Sequence, residues 1–237
     1  MLFLHETHHV VGSREDEFEA ALRDAWLPGL AATSGARLLY ALRHAHGSGP
    51  SYRLVTVTAL RDGAAWEELV RSVERGDLRE RAQRLDAARH DVEAKVLVPL
   101  PWSPLQEVDL ASVPTAPKAA DAASLFMEDT VWPHPGSLER YVEASGRHYA
   151  REMADHEAEG TAILRVEGAF RTAFGSGRRR EVVLWQRIVN TKALVPLLTR
   201  EVPARYTAPG TWMHDALQLR DQWESRLLRS LRWSPLA

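Results

Sequence analysis

The chain has 237 residues, with 30 basic and 32 acidic side chains and a formal charge of −2. Such a balance, with no basic tail, argues against a nucleic-acid partner held by a general phosphate-binding field. There is no cysteine, which excludes disulfides, thiolate metal sites and a cysteine nucleophile. No window approaches the roughly 18 continuous apolar residues of a membrane helix. No basic stretch followed by an apolar one opens the sequence, so the expectation is a soluble, cytoplasmic protein.

Residues 2–9 alternate apolar and polar and read as a strand. Ser13-Arg14-Glu15-Asp16 supplies a helix N-cap with acids in the first turn. Phe18, Leu22, Trp26 and Leu30 follow at helical spacing, and Pro28-Gly29 is expected to mark the frayed end. Residues 37–46 and 52–60 form a hairpin about His46-Gly47-Ser48-Gly49-Pro50. Residues 62–73 and 77–90 are helical by propensity and charge alternation. Residues 92–98 close a first β-α-β-β-α-β series before prolines 99, 101 and 104.

The plan then starts again. Leu2-Phe3-Leu4-His5-Glu6-Thr7 returns 123 positions later as Leu125-Phe126-Met127-Glu128-Asp129-Thr130. His46-Gly47-Ser48-Gly49 returns as Phe174-Gly175-Ser176-Gly177, and Trp102-Ser103-Pro104-Leu105 as Trp233-Ser234-Pro235-Leu236. Glu93 and Lys95 correspond to Glu224 and Arg226. Three matches in one order describe a tandem duplication. The expected domains are 1–106, a linker at 107–123, and 124–237. In the second, 125–132 is a strand, 138–156 a helix, and 161–174 with 181–190 a hairpin. Helical stretches at 193–202 and 211–221 follow, and 223–231 is the closing strand.

Each series is the ferredoxin-like split βαβ plan, so the fold class is α+β. Both helices of such a unit cover one sheet face and leave the other to be buried. Two antiparallel sheets packed into a barrel-like core with helices outside satisfy this within one chain. On the duplication and this order of elements, with its Leu-Phe-x-x-x-Thr and Trp-Ser-Pro-Leu patterns, the chain resembles the dimeric α/β-barrel superfamily, and in particular its tandem NIPSNAP-like members. The superfamily includes small monooxygenases, polyketide cyclases, haem enzymes and proteins without known activity. The resemblance implies a small-molecule ligand and a homodimer, and fold alone leaves the chemistry open.

Several residues are candidates for that chemistry. His5-Glu6-Thr7-His8-His9 spells H-E-x-x-H, but the zinc motif requires a helix. In a strand His5 and His9 stand roughly 13 Å apart at about 3.3 Å per residue. The duplication points elsewhere: His5 and Glu128 occupy equivalent strand positions, on the face away from Leu2 and Leu4. They are the expected general base and acid, or else a pair without chemistry. Tyr40 and His44 share one face of the second strand. In the second copy Arg165, Glu167 and Arg171 share a face, and Trp185 with Arg187 shares another. Tyr40, His44, Arg165 and Trp185 are the candidate contacts for an aromatic or acidic substrate, or plain strand surface. If the first strand presents its other face, Glu6 and Asp129 are the equivalent acidic pair.

The expected function is acid–base chemistry on a small aromatic or acidic metabolite, of monooxygenase, cyclase or isomerase type, without cofactor or metal. A non-catalytic NIPSNAP-like binding protein is the alternative. A third reading, a haem protein, follows only from the resemblance, with His148 or His156 as axial ligand. The run Arg178-Arg179-Arg180 reads as a solvated hairpin turn.

Overall fold

The structure is a computed structural model that describes every residue except Ala119, Asp121, Arg178 and Ala237. Arg178 of the arginine run therefore lies outside the described residues. The chain is α+β and forms two compact units. One comprises residues 1–98, 107–124 and 227–237; the other comprises 99–106 and 125–226.

In the first unit β1 (Leu2–Val10), β2 (Ala36–His44), β3 (Arg53–Leu60) and β4 (Arg89–Pro99) form an antiparallel sheet. β1 pairs with both β3 and β4, and β3 pairs with β2. The helices are α1 (Glu15–Ala21), α2 (Leu27–Ala31), α3 (Gly63–Arg75) and α4 (Arg79–Ala87). In the second unit β5 (Leu125–Pro133), β6 (Leu164–Thr172), β7 (Val182–Ile188) and β8 (Arg220–Ser230) repeat the sheet. β7 lies between β5 and β6, and β8 lies beside β5. Its helices are α5 (Leu138–Ser145), α6 (Arg151–Ala158), α7 (Thr191–Thr199), α8 (Ala204–Thr207) and α9 (Trp212–Asp215). No helix among the described residues is long and apolar enough to cross a membrane.

The first helix does not stop at Pro28-Gly29. A π turn, Leu22–Trp26, joins α1 to α2, and the amide of Leu27 donates to the Leu22 carbonyl. Pro28, which has no amide to give, follows directly in the first turn of α2. The second copy has the same device, a π turn at Gly146–Ala150 between α5 and α6. A Cβ on Gly146 would meet the Trp102 ring at 2.6 Å, so the close seat of that indole requires glycine. The repeated Gly-Ser-Gly hairpins are explained likewise: Gly47 and Gly175 have φ of 80° and 79°, a left-handed conformation that favours glycine.

Each second strand carries a bulge, between Leu38 and Tyr40 in β2 and between Val166 and Gly168 in β6. The extra residue reverses the alternation of faces. Arg37 pairs with Ala59 and Arg43 with Leu54, so they fall on opposite faces; Arg165 and Arg171 are separated in the same way. The shared face expected for Arg165 and Arg171 is thus corrected by one bulge.

Beyond each bulge sits the repeated Trp-Ser-Pro-Leu segment. In the second unit Leu100 N donates to Ala169 O, and Ala169 N donates to Ser103 Oγ at 2.9 Å. In the first, Leu231 N donates to Ala41 O, and Ala41 N donates to Ser234 Oγ at 3.0 Å. Trp102 Nε1 donates to Val142 O, and Trp233 Nε1 donates to Glu19 Oε1. The motif is a clasp on the strand edge away from the hairpin partner, where it satisfies the amides of Ala41 and Ala169. Replacing Ser234 or Ser103 by Ala leaves a buried amide without its acceptor, an expected loss of about 1–3 kcal/mol in urea unfolding. Hydrogen exchange checks the location: the Ala41 amide loses protection in Ser234→Ala, and the Ala169 amide in Ser103→Ala.

Candidate functional site

The helix-facing side of β1 carries Leu4, Glu6 and His8, because side chains alternate along a strand. Thr56 pairs with Glu6 across to β3 and shares that side. Over them lie Leu22 and Trp26 of the π turn, Trp66, Leu69, Val70, Val73 and Glu74 of α3, and Ala82, Leu85 and Asp86 of α4, with Arg89 at the start of β4. Together they enclose a cavity of about 210 Å³ within the first unit. Apolar residues of this unit's core form its walls. Trp66 and Val70, both partly exposed at 40% and 45%, stand on α3 one turn apart. The cavity is smaller than that of a drug-sized ligand and suits one or two fused rings.

One hydrogen-bonded chain crosses this wall. Asp86 Oδ1 accepts from Arg89 Nε at 3.0 Å. Arg89 Nη1 contacts His8 Nδ1 at 2.6 Å. His8 Nε2 is 2.9 Å from Thr56 Oγ1, and Thr56 donates to Glu6 Oε2 at 3.3 Å. Guanidinium has donors only, so Nδ1 of His8 accepts and Nε2 carries the hydrogen. The direction of every bond follows, from Arg89 through His8 and Thr56 to the carboxylate.

The electrostatics fit that order. Burial holds His8 well below the usual imidazole range, and the nearby Arg89 charge adds to it. His8 is therefore neutral at pH 7. Burial raises the Glu6 carboxyl, against the smaller opposing effects of Arg89 and the Thr56 hydrogen bond. The carboxyl is thus displaced towards neutrality at the cavity wall, a feature that functional acids and bases share with structural ion-pair networks. Glu6 was the sequence's second choice; Thr56, His8 and Arg89 were missed. Arg89 had a signal, because Arg220 repeats it at the offset that joins Glu93 to Glu224.

The other sequence candidates lie on different surfaces. His5 is buried, at 2% exposure, on the sheet face away from the helices, opposite Val57 and Lys95. Tyr40 also pairs with Val57, and Leu42 with Val55, so Tyr40, His44 and His5 share that face. In the second unit Glu128 is buried and accepts from Trp185 Nε1 at 3.1 Å. Arg165 is exposed and paired with Glu157 of α6 at 2.7 Å. His148 and His156 border a groove whose other side chains include Arg147, Arg151, Glu152, Asp155 and Glu159. Trp212 and Met213 are the only apolar side chains among those that line this charged groove, too few for the walls that a porphyrin requires, and these residues do not fit a haem. In the first unit both ring nitrogens of His8 are already hydrogen-bonded. His9 pairs with Asp91 at 2.8 Å, and no group of three or more metal-binding side chains converges among the described residues.

No family model and no curated protein matches this sequence. Solved structures do share its fold. An anthrone oxidase-like protein superposes with a TM-score of 0.58 at 9% identity, over 97% of this chain and 91% of that one. A candidate monooxygenase from Lactobacillus acidophilus NCFM gives 0.57 at 13% identity, over 96% and 93%. A mutant chlorite dismutase from Candidatus Nitrospira defluvii gives 0.54 at 6% identity, over 97% and 90%. At such identities the likeness is one of fold.

Because folding raises the Glu6 pKa, its contribution favours the folded state below the carboxylate range and is lost as pH rises through the folded pKa. Glu6→Gln is therefore expected to melt with the parent protein near pH 4 and above it at pH 8. Thermal unfolding across that range checks the sign; a variant less stable at pH 8 would mean that ionised Glu6 holds the fold together.

Proposed function

We propose that the protein is a small-molecule enzyme that works by acid–base chemistry in the first unit's cavity, with Glu6 as the proton-transferring group. The observation that carries this reading is a half-buried carboxyl at a cavity wall, raised in pKa and tied by directed hydrogen bonds to a neutral histidine. Natural cores avoid such a group unless it has a use.

The lining sets the substrate. Glu6, Glu74 and Asp86 face a single cation, Arg89, whose donors are engaged by Asp86 and His8. An acidic metabolite is disfavoured by this charge balance. Trp26, Trp66 and the leucines favour a neutral aromatic ring, and Glu6 suits a phenol or an enolisable ketone on that ring. Removing a proton from such a substrate is the step common to cofactor-independent oxygenation, cyclisation and isomerisation. The anthrone oxidase-like and monooxygenase-named neighbours support this choice over a purely binding role.

Arg89, His8 and Thr56 form a chain of donors directed at Glu6 that holds its carboxylate in place. Thr56 keeps one carboxylate oxygen oriented, and the fixed tautomer of His8 keeps Thr56 donating.

The test uses 2-tetralone, a two-ring ketone, and follows deuterium uptake from D2O at its benzylic carbon by mass spectrometry. The protein is expected to accelerate exchange, and Glu6→Gln to lower the rate about 10²–10⁴-fold without loss of fold. Thr56→Val is expected to shift the pH profile of exchange while leaving 2-tetralone binding intact. Equal exchange by the parent protein and Glu6→Gln would sink the enzyme reading.

A further inference from the structure

The first unit's cavity carries negative charge that its own residues leave unanswered. On α3 Trp66, Leu69, Val70, Val73 and Glu74 recur at helical spacing, and all of them line the cavity. Glu74, an exposed residue, ends this otherwise apolar stripe. Among the described residues no hydrogen bond or ion pair engages it. The cation one turn before it, Arg71, is taken by Glu67 at 2.7 Å. Arg89, the one cation among the lining residues, is taken by Asp86 and His8.

Asp86 adds to the imbalance. It accepts both Arg89 bonds on Oδ1, at 3.0 and 2.5 Å, and among the described residues no hydrogen bond reaches its Oδ2. Its charge is felt inside the cavity: together with burial, the larger cause, it raises the Glu6 carboxyl. Glu74 and Asp86 therefore give the α3 and α4 side of the cavity a negative field. Apolar walls weaken the screening of that field by water. A ligand whose ring fills the cavity brings its outer end to these two carboxylates, and that end is best a cation.

We propose that the ligand of this cavity is an aromatic ring carrying a basic nitrogen on a short arm, with the neutral ring among Trp26, Trp66 and the leucines and the ammonium held by Glu74 and Asp86. This rests on the reading of the cavity as the enzyme's site and adds the charge of the substrate's outer end. An ammonium has three donors and no acceptor, which suits carboxylate oxygens left without hydrogen bonds. A carboxylate on the same arm would be repelled. Glu74 selects the substrate and takes no part in proton transfer.

The experiment is calorimetric titration of the full chain, at pH 7 and low ionic strength, with tyramine and with 4-propylphenol, which has the same ring and a methyl group in place of the ammonium. Tyramine is expected to bind about fivefold more tightly, and this advantage to shrink at about 1 M salt, which screens charges beyond about 3 Å. Glu74→Gln is expected to weaken tyramine about threefold and to leave 4-propylphenol unchanged. Glu74→Lys is expected to turn the preference towards 4-propylphenol. Equal binding of the two compounds by the parent protein overturns the proposal, and so does binding of neither. Glu74→Gln weakening both alike overturns it too, since it marks a residue that only supports the wall. The enzyme reading fails separately. Equal exchange of 2-tetralone by the parent protein and Glu6→Gln, beside a tyramine preference that Glu74→Gln reduces, would leave an amine-binding cavity without the chemistry.

Discussion

The bonds between Ser234 and Ala41, and between Ser103 and Ala169, are the interactions on which the architecture turns. Ala41 and Ala169 stay in register with Thr56 and Leu184 and turn their amides to the other edge of the strand, and amides left open inside a protein are destabilising. The Leu-x-Trp-Ser-Pro-Leu tail answers with a backbone bond, a serine oxygen and an anchored indole. Residues 99–106, from the last residue of β4 onward, belong to the second unit, and residues 227–237, from the end of β8 onward, belong to the first. Neither half of the duplicated sequence is complete by itself: residues 1–106 alone would leave β2 without Leu231 and Ser234. The motif that the sequence shows as a mere repeat marker is therefore structural, and it serves the edge of the second strand in both copies.

Duplication has treated the two interiors differently. On the helix-facing side of each sheet a carboxylate from the first strand and an arginine from the start of the fourth are kept together, Glu6 with Arg89 and Asp129 with Arg220. In the second unit Asp129 accepts from Gln186 and Ser225, and burial still raises its pKa. In the first unit Thr56 is the one side chain among the described residues that donates to Glu6, and at a long 3.3 Å. The better-satisfied acid is the one bonded to Gln186, which also accepts from the Tyr149 hydroxyl; the less satisfied one lines a cavity. Hydrogen bonds to the charged form quench a base, and their scarcity keeps it reactive.

Much of this was legible before any coordinates. Period-two and helical patterns, hairpin glycines and the internal matches were enough to read two β-α-β-β-α-β series. The faces were not, because a bulge is one uncounted residue: it leaves Arg37 and Arg43 identical in sequence parity and opposite in space. Pro28 misled for a similar reason, since a π turn adds one residue to a helix and no local propensity announces it. The H-E-x-x-H letters drew attention to His5 and His9, whereas His8, between them, joins the chain through Arg89. That link spans 81 positions, and only the closing of the sheet brings the two together.

Arg89 shows how such a distant contact decides chemistry. Its ion pair with Asp86 fixes the guanidinium, and a fixed guanidinium offers His8 nothing but a hydrogen. His8 has then one tautomer available, and that tautomer offers Thr56 nothing but a hydrogen. Thr56 in turn has its own hydrogen left for Glu6. Protonating His8 would replace the acceptor Nδ1 by a second donor facing Arg89, and the chain would break at its first link. Burial and the arginine charge act together to prevent this, so the arrangement holds across the pH range in which a carboxyl of raised pKa gains and loses its proton. A proton taken by Glu6 thus meets a hydroxyl whose orientation is already set, without reorganisation of the wall, and this preorganisation is what separates a buried acid that reacts from one that is merely buried.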